Sequence, residues 1–118
     1  MEQVGDLWGQ HQDARFPPGC RCVAVGGIDL ILIDADTAGC VSTFLAWGGR
    51  LDPWRLAVLG LCYHHLAVVA AGLEGEAREY FARLEELAGL VLVAVRDTGR
   101  QAEPGAAARA APKAGPRG

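Results

Sequence analysis

The sequence predicts an α+β domain, a three-stranded antiparallel meander followed by two helices in the order β-β-β-α-α. Three observations predict it: a Gly26-Gly27 pair between two apolar runs, an Asp52-Pro53 step that opens a long apolar segment, and an apolar stripe at helical spacing from Ala77 to Val91.

Residues 1–19 read as a loosely structured lead, because Pro17-Pro18-Gly19 breaks any helix ahead of the first strand. Trp8 and Phe16 are placed to pin that lead to the body. Strands are expected over roughly 20–25 and 28–34, joined by Gly26-Gly27, where both positions of a two-residue hairpin can take positive φ without a Cβ clash. The second strand is apolar on both faces, with Leu30 and Leu32 on one, Ile31 and Ile33 on the other, and Asp29 as its polar exception. Asp34-Ala35-Asp36-Thr37-Ala38-Gly39 reads as a turn, and a third strand is expected over about 40–47.

Asp52 is placed as an N-cap with Pro53 at the first helical position, and Leu51 and Leu56 are placed for a hydrophobic staple. This helix should run to about Leu73, and its apolar character all round predicts burial in a core. In the second helix Ala77, Tyr80, Phe81, Leu84, Leu87, Ala88 and Val91 share a stripe, while Glu76, Glu79, Arg83, Glu85 and Glu86 lie off it. Residues 89–95 continue that helix or supply a fourth strand, with helix favoured. Residues 97–118 contain Gly, Ala or Pro at 14 positions and no large apolar side chain, so they are expected to form a disordered tail. The domain reading is a lead over 1–19, one α+β domain over 20–96 and a tail over 97–118.

The chain has 118 residues and a formal net charge of −3, enough length for one core. The segment from 97 onward carries +2 and the rest −5, and an acidic body argues against a nucleic-acid face. Membrane insertion is not expected: the apolar run from Leu56 to Leu73 has His64 and His65 at its middle. The opening MEQVGDLWGQHQDAR has neither a basic start nor an apolar run, so free thiols and a cytoplasmic location are expected.

If both helices cover one side of the meander, the second strand shows apolar side chains on the other. Contiguous exposed apolar area marks a contact site. The expected function is therefore that of a non-enzymatic interaction module, a homodimer or the partner of a neighbouring-gene product. Asp29, Ile31, Ile33, Ser42 and Phe44 would lie on the exposed sheet face, with Trp8 and Trp54 as aromatic anchors.

Two alternatives use other residues. Cys20, Cys22 and Cys40 fall at one end of the proposed sheet, and Cys62, His64 or His65 offers a fourth donor for zinc or redox chemistry. The C-x-C spacing differs from the usual knuckle, and free cysteines commonly fill cores, which makes no cofactor the primary expectation. His64 and His65 are adjacent, about 100° apart on a helix, so at most one faces a given pocket.

The second alternative is a small enzyme using Asp34 and Asp36. The run Leu30 to Ile33 into Asp34-Ala35-Asp36-Thr37 resembles the nucleophile motif of the haloacid dehalogenase-like phosphotransferases, a strand leading into D-x-D-x-T. The resemblance covers these residues alone. Thr37 stands one place early, the lysine and later acidic pair of that family have no counterpart, and the chain is shorter than that fold requires.

Overall fold

A computed structural model describes residues 2–110, with side chains described through Thr98. Among the described residues the chain forms four helices and one short ribbon: α1 (Glu2–Asp13), β1 (Ala24–Val25), β2 (Ile28–Asp29), α2 (Leu30–Ala46), α3 (Pro53–Ala71) and α4 (Gly75–Ala110). The architecture is mostly helical, which corrects the α+β expectation of a three-stranded meander with two helices.

The correction begins at one residue. The Gly26-Gly27 turn forms as expected, with φ of 58° and 79°, and pairs Val25 with Ile28 and Ala24 with Asp29. Asp29 then caps a helix: its carboxylate accepts a hydrogen bond from the Leu32 N–H at 3.0 Å, so the chain turns into α2 directly after the ribbon. The segment read as strand, turn and strand is thus one helix of 17 residues. Its buried side chains, Leu30, Ile33, Thr37, Cys40, Val41 and Phe44, recur at intervals of three and four, the period of a helix facing a core.

Helix α2 stops at Trp47 in a double hydrogen bond from the two glycines that follow. Gly48 N–H donates to the Leu45 carbonyl at 3.3 Å and Gly49 N–H to the Phe44 carbonyl at 2.8 Å. This closure needs a left-handed residue after the cap, which Gly48 supplies at φ 70°.

Helix α3 opens as the sequence predicts. Asp52 Oδ2 accepts from the Arg55 N–H at 3.2 Å, and the Arg55 guanidinium donates to Oδ1 at 2.7 Å. The stripe of α4 is also as read, with Tyr80, Phe81, Leu84, Leu87, Ala88 and Val91 buried, and residues 89–95 continue that helix without forming a strand. The residues read as a loose lead form α1, which buries Val4 and His11; Trp8 and Phe16 pack on the core as expected. The tail expectation for 97–118 falls, apart from Asp97 and Thr98, outside the residues whose side chains are described.

Helix α4 is the centre of the packing, carrying α3 and α2 along its stripe and α1 near its start. The ribbon lies on the C-terminal end of α3, where a Cβ added to Gly72 would stand 2.7 Å from Val25 Cγ1 and one on Gly26 would stand 2.9 Å from Val68 Cγ1. Glycine at both places lets the two backbones approach.

Candidate functional site

Helix α3 buries one side only. Leu59, Cys62, Leu66, Val69 and Ala70 face α2 and α4, and only 28% of its apolar window lies inside the chain. The core position expected for this helix all round is therefore not found. Its opposite side presents Trp54, Leu61 and Val68 at 74%, 58% and 49% exposure, with Ala57, His64 and Ala71 exposed between them.

These six positions are spaced three, four, three, four and three residues apart, so they form one straight stripe about 26 Å long. No Asp, Glu, Lys or Arg interrupts it; Arg55, the one formal charge within α3, turns aside to Asp52 and lies over the Trp47 ring at 5.2 Å. On one flank the stripe borders an apolar groove of about 410 Å³ between α2 and α3, lined by Leu32, Ile33, Val58, Leu61 and His65 with Asp29 and Asp36 at its margin. Leu32 itself is 59% exposed.

A polar cluster occupies the other side of the molecule and ties α1, α2 and α4 together. Arg83 Nε donates to Nδ1 of the buried His11 at 3.0 Å, and the Tyr80 hydroxyl donates to Asp34 Oδ1 at 2.8 Å. The His11 ring lies between Trp8 and Tyr80, at centroid distances of 6.1 and 4.5 Å. Burial and the neighbouring Arg83 charge bring His11 down to about 4, so it is neutral at pH 7. Burial raises Asp34, against the opposing effect of the Tyr80 hydrogen bond. Arg83, Tyr80 and Asp34 are paired inward and bind one helix to another, while the buried His11 Nε2 has no hydrogen-bond partner among the described residues.

The residues singled out in the sequence separate accordingly. Trp54 is outward, as expected of an aromatic anchor, and Asp29 and Ile31 are exposed. Ile33 and Phe44 are core residues at 4% and 0% exposure, because the sheet face that would have displayed them does not exist. Trp8 packs over His11 and the core, half-buried. His65 lines the groove and His64 points outward, as their angular separation requires.

Asp34 and Asp36 do not converge. They stand about 200° apart on α2, Asp34 turned inward to Tyr80 and Asp36 exposed. The strand end that the phosphotransferase motif requires is the interior of a helix here.

The four cysteines are free thiols; Cys20, Cys40 and Cys62 are buried and Cys22 is exposed at φ 60°. Cys40 and Cys62 meet across α2 and α3, and burial pushes both thiols up, away from the thiolate form that metal binding and redox exchange use. Among the described residues, no three His, Cys, Asp or Glu side chains are grouped as a metal site needs.

Comparison with known proteins finds no matching family model, no similar curated protein and no similar solved structure. The stripe on α3 is the feature that sequence reading missed. Its signal was the recurrence of Trp54, Ala57, Leu61, His64, Val68 and Ala71 beside a second recurrence of Leu59, Cys62, Leu66 and Val69.

Proposed function

We propose that this chain is a protein-docking module whose contact surface is the outward face of α3. One observation carries the reading: a helix apolar on both sides buries only one of them within the chain, leaving an uncharged stripe with Trp54, Leu61 and Val68 exposed. Large apolar side chains around a rigid helix are the anchors that protein interfaces use, and an aromatic at one end supplies the kind of side chain enriched in binding hot spots. The polar cluster of His11, Tyr80, Arg83 and Asp34 holds the scaffold beneath that face.

A protein partner suits the face better than lipid. Among the described residues α3 is the one helix long and apolar enough to cross a membrane, with a mean hydropathy of 1.3. Yet two histidines stand at its middle, and the body of the chain is acidic, without the basic cluster that draws an interfacial helix to anionic headgroups. The stripe also keeps the three-and-four spacing that helix-to-helix packing reads.

Site-specific photocrosslinking in cells tests the proposal. A benzophenone amino acid at Leu61 is expected to give one discrete protein adduct, and the same group at the exposed Arg78 on α4 none. Equal labelling at both positions, or an adduct with the mass of a lipid, contradicts it.

A further inference from the structure

We infer that the occupant of the outward α3 face is a second copy of this chain, with the two α3 helices antiparallel; the inference rests on the docking reading above.

The sizes of the side chains along the stripe point to it. From N- to C-terminus the stripe runs Trp54, Ala57, Leu61, His64, Val68, Ala71. Turned end for end about a twofold axis between Leu61 and His64, it sets Trp54 against Ala71, Val68 against Ala57, and Leu61 against His64. The largest side chain meets a methyl group and the valine meets another, the large-on-small alternation that interdigitated helices require. At the C-terminal end of the stripe the ribbon turn stands against α3, with Gly26 beside Val68 and Val25 beside Gly72. A parallel pairing sets Trp54 on Trp54 and Ala57 on Ala57, a clash followed by a gap.

The body carries −5, which opposes self-association, but no Asp, Glu, Lys or Arg lies on the stripe, so like charges do not meet at this face. A twofold interface is self-complementary by construction, which an uncharged stripe with mirrored sizes satisfies. Two stripes about 26 Å long and roughly 10 Å wide bury about 500 Å² in total, below the roughly 1,000 Å² of a stable interface, so the pair is a weak one that forms at high concentration.

The test uses the purified full chain, with Cys22→Ser to remove the exposed thiol. At high concentration light scattering is expected to give twice the 12.4 kDa chain mass, and Leu61→Glu to return it to one chain. Under a glutathione redox buffer, Ala57→Cys with Val68→Cys in the same chain is expected to give a covalent dimer. Either cysteine alone is not, because the two copies of position 57 stand about 16 Å apart along the helices. Single variants that cross-link as readily as the double one overturn the antiparallel register. A one-chain mass at every concentration overturns the second copy, while a Leu61 photoadduct with a different protein would leave the docking surface standing.

Discussion

Phe81→Ala is expected to lower the free energy of unfolding by about 3–5 kcal/mol, the range for removing a fully buried phenylalanine. Phe81 has 0% exposure and lies at the centre of the α4 stripe. Its ring meets Phe16 edge-on at 6.0 Å and Tyr80 at 5.1 Å, so its loss opens a cavity where the segment after α1 is held to α4. A domain of this size has roughly 5–15 kcal/mol in all, which leaves the variant near the limit of folding. Urea denaturation followed by far-ultraviolet circular dichroism measures the change, and a loss under about 1 kcal/mol would contradict the central position of Phe81.

Acid is expected to destabilise the protein through His11. Its folded-state pKa, about 4, lies below the 6.5 of an unfolded histidine, so the unfolded chain takes up the proton first. The contribution is fully present above about pH 6.5 and is lost as pH falls towards 4, by which point the loss amounts to about 3 kcal/mol. Protonation also puts a donor on Nδ1, where Arg83 already donates, and a second positive charge beside the guanidinium. Asp34 acts in the opposite sense: its carboxyl is raised by burial, so protonating it in acid favours the folded state. The measurement that isolates the histidine is therefore a comparison of wild type with His11→Gln by urea denaturation from pH 7 down to about 4. The glutamine variant is expected to start less stable and to lose about 3 kcal/mol less over that range. Parallel stability curves for the two proteins would contradict the account.

What could be read from the sequence divides along the strength of local signals. Asp52-Pro53, Gly26-Gly27 and the stripe from Ala77 to Val91 act through capping, positive φ and helical period, and all three are in the structure. The failure lay between residues 30 and 47. A run of four β-branched and leucine side chains satisfies period two and period 3.6 alike, and Asp34-Ala35-Asp36-Thr37 has the composition of a turn. Tertiary structure decides against the turn: Thr37 is completely buried and Asp34 is bonded to Tyr80, 46 residues away. Asp29 was the local clue, a capping residue that read as a polar exception in a strand.

The apolar residues that the sequence placed on one open face are divided by the structure between the core and the surface. The excess of apolar residues was assigned to a sheet face of Asp29, Ile31, Ile33, Ser42 and Phe44; the helix leaves Asp29, Ile31 and Ser42 exposed and turns Ile33 and Phe44 inward. Helix α3, expected to be buried throughout, carries the exposed excess instead. Trp54 is the residue common to both assignments.

The central claim is that Leu61 faces out of a completed fold while Leu59, two residues earlier, faces in. Thermal unfolding of Leu61→Glu in dilute solution, followed by circular dichroism beside Leu59→Glu, tests it most directly. The Leu61 variant is expected to keep its helical signal and a midpoint within about 4 °C of wild type, and the Leu59 variant to lose cooperative unfolding. Loss of cooperative unfolding in both would show that the outward side of α3 is part of the core and would contradict the docking surface.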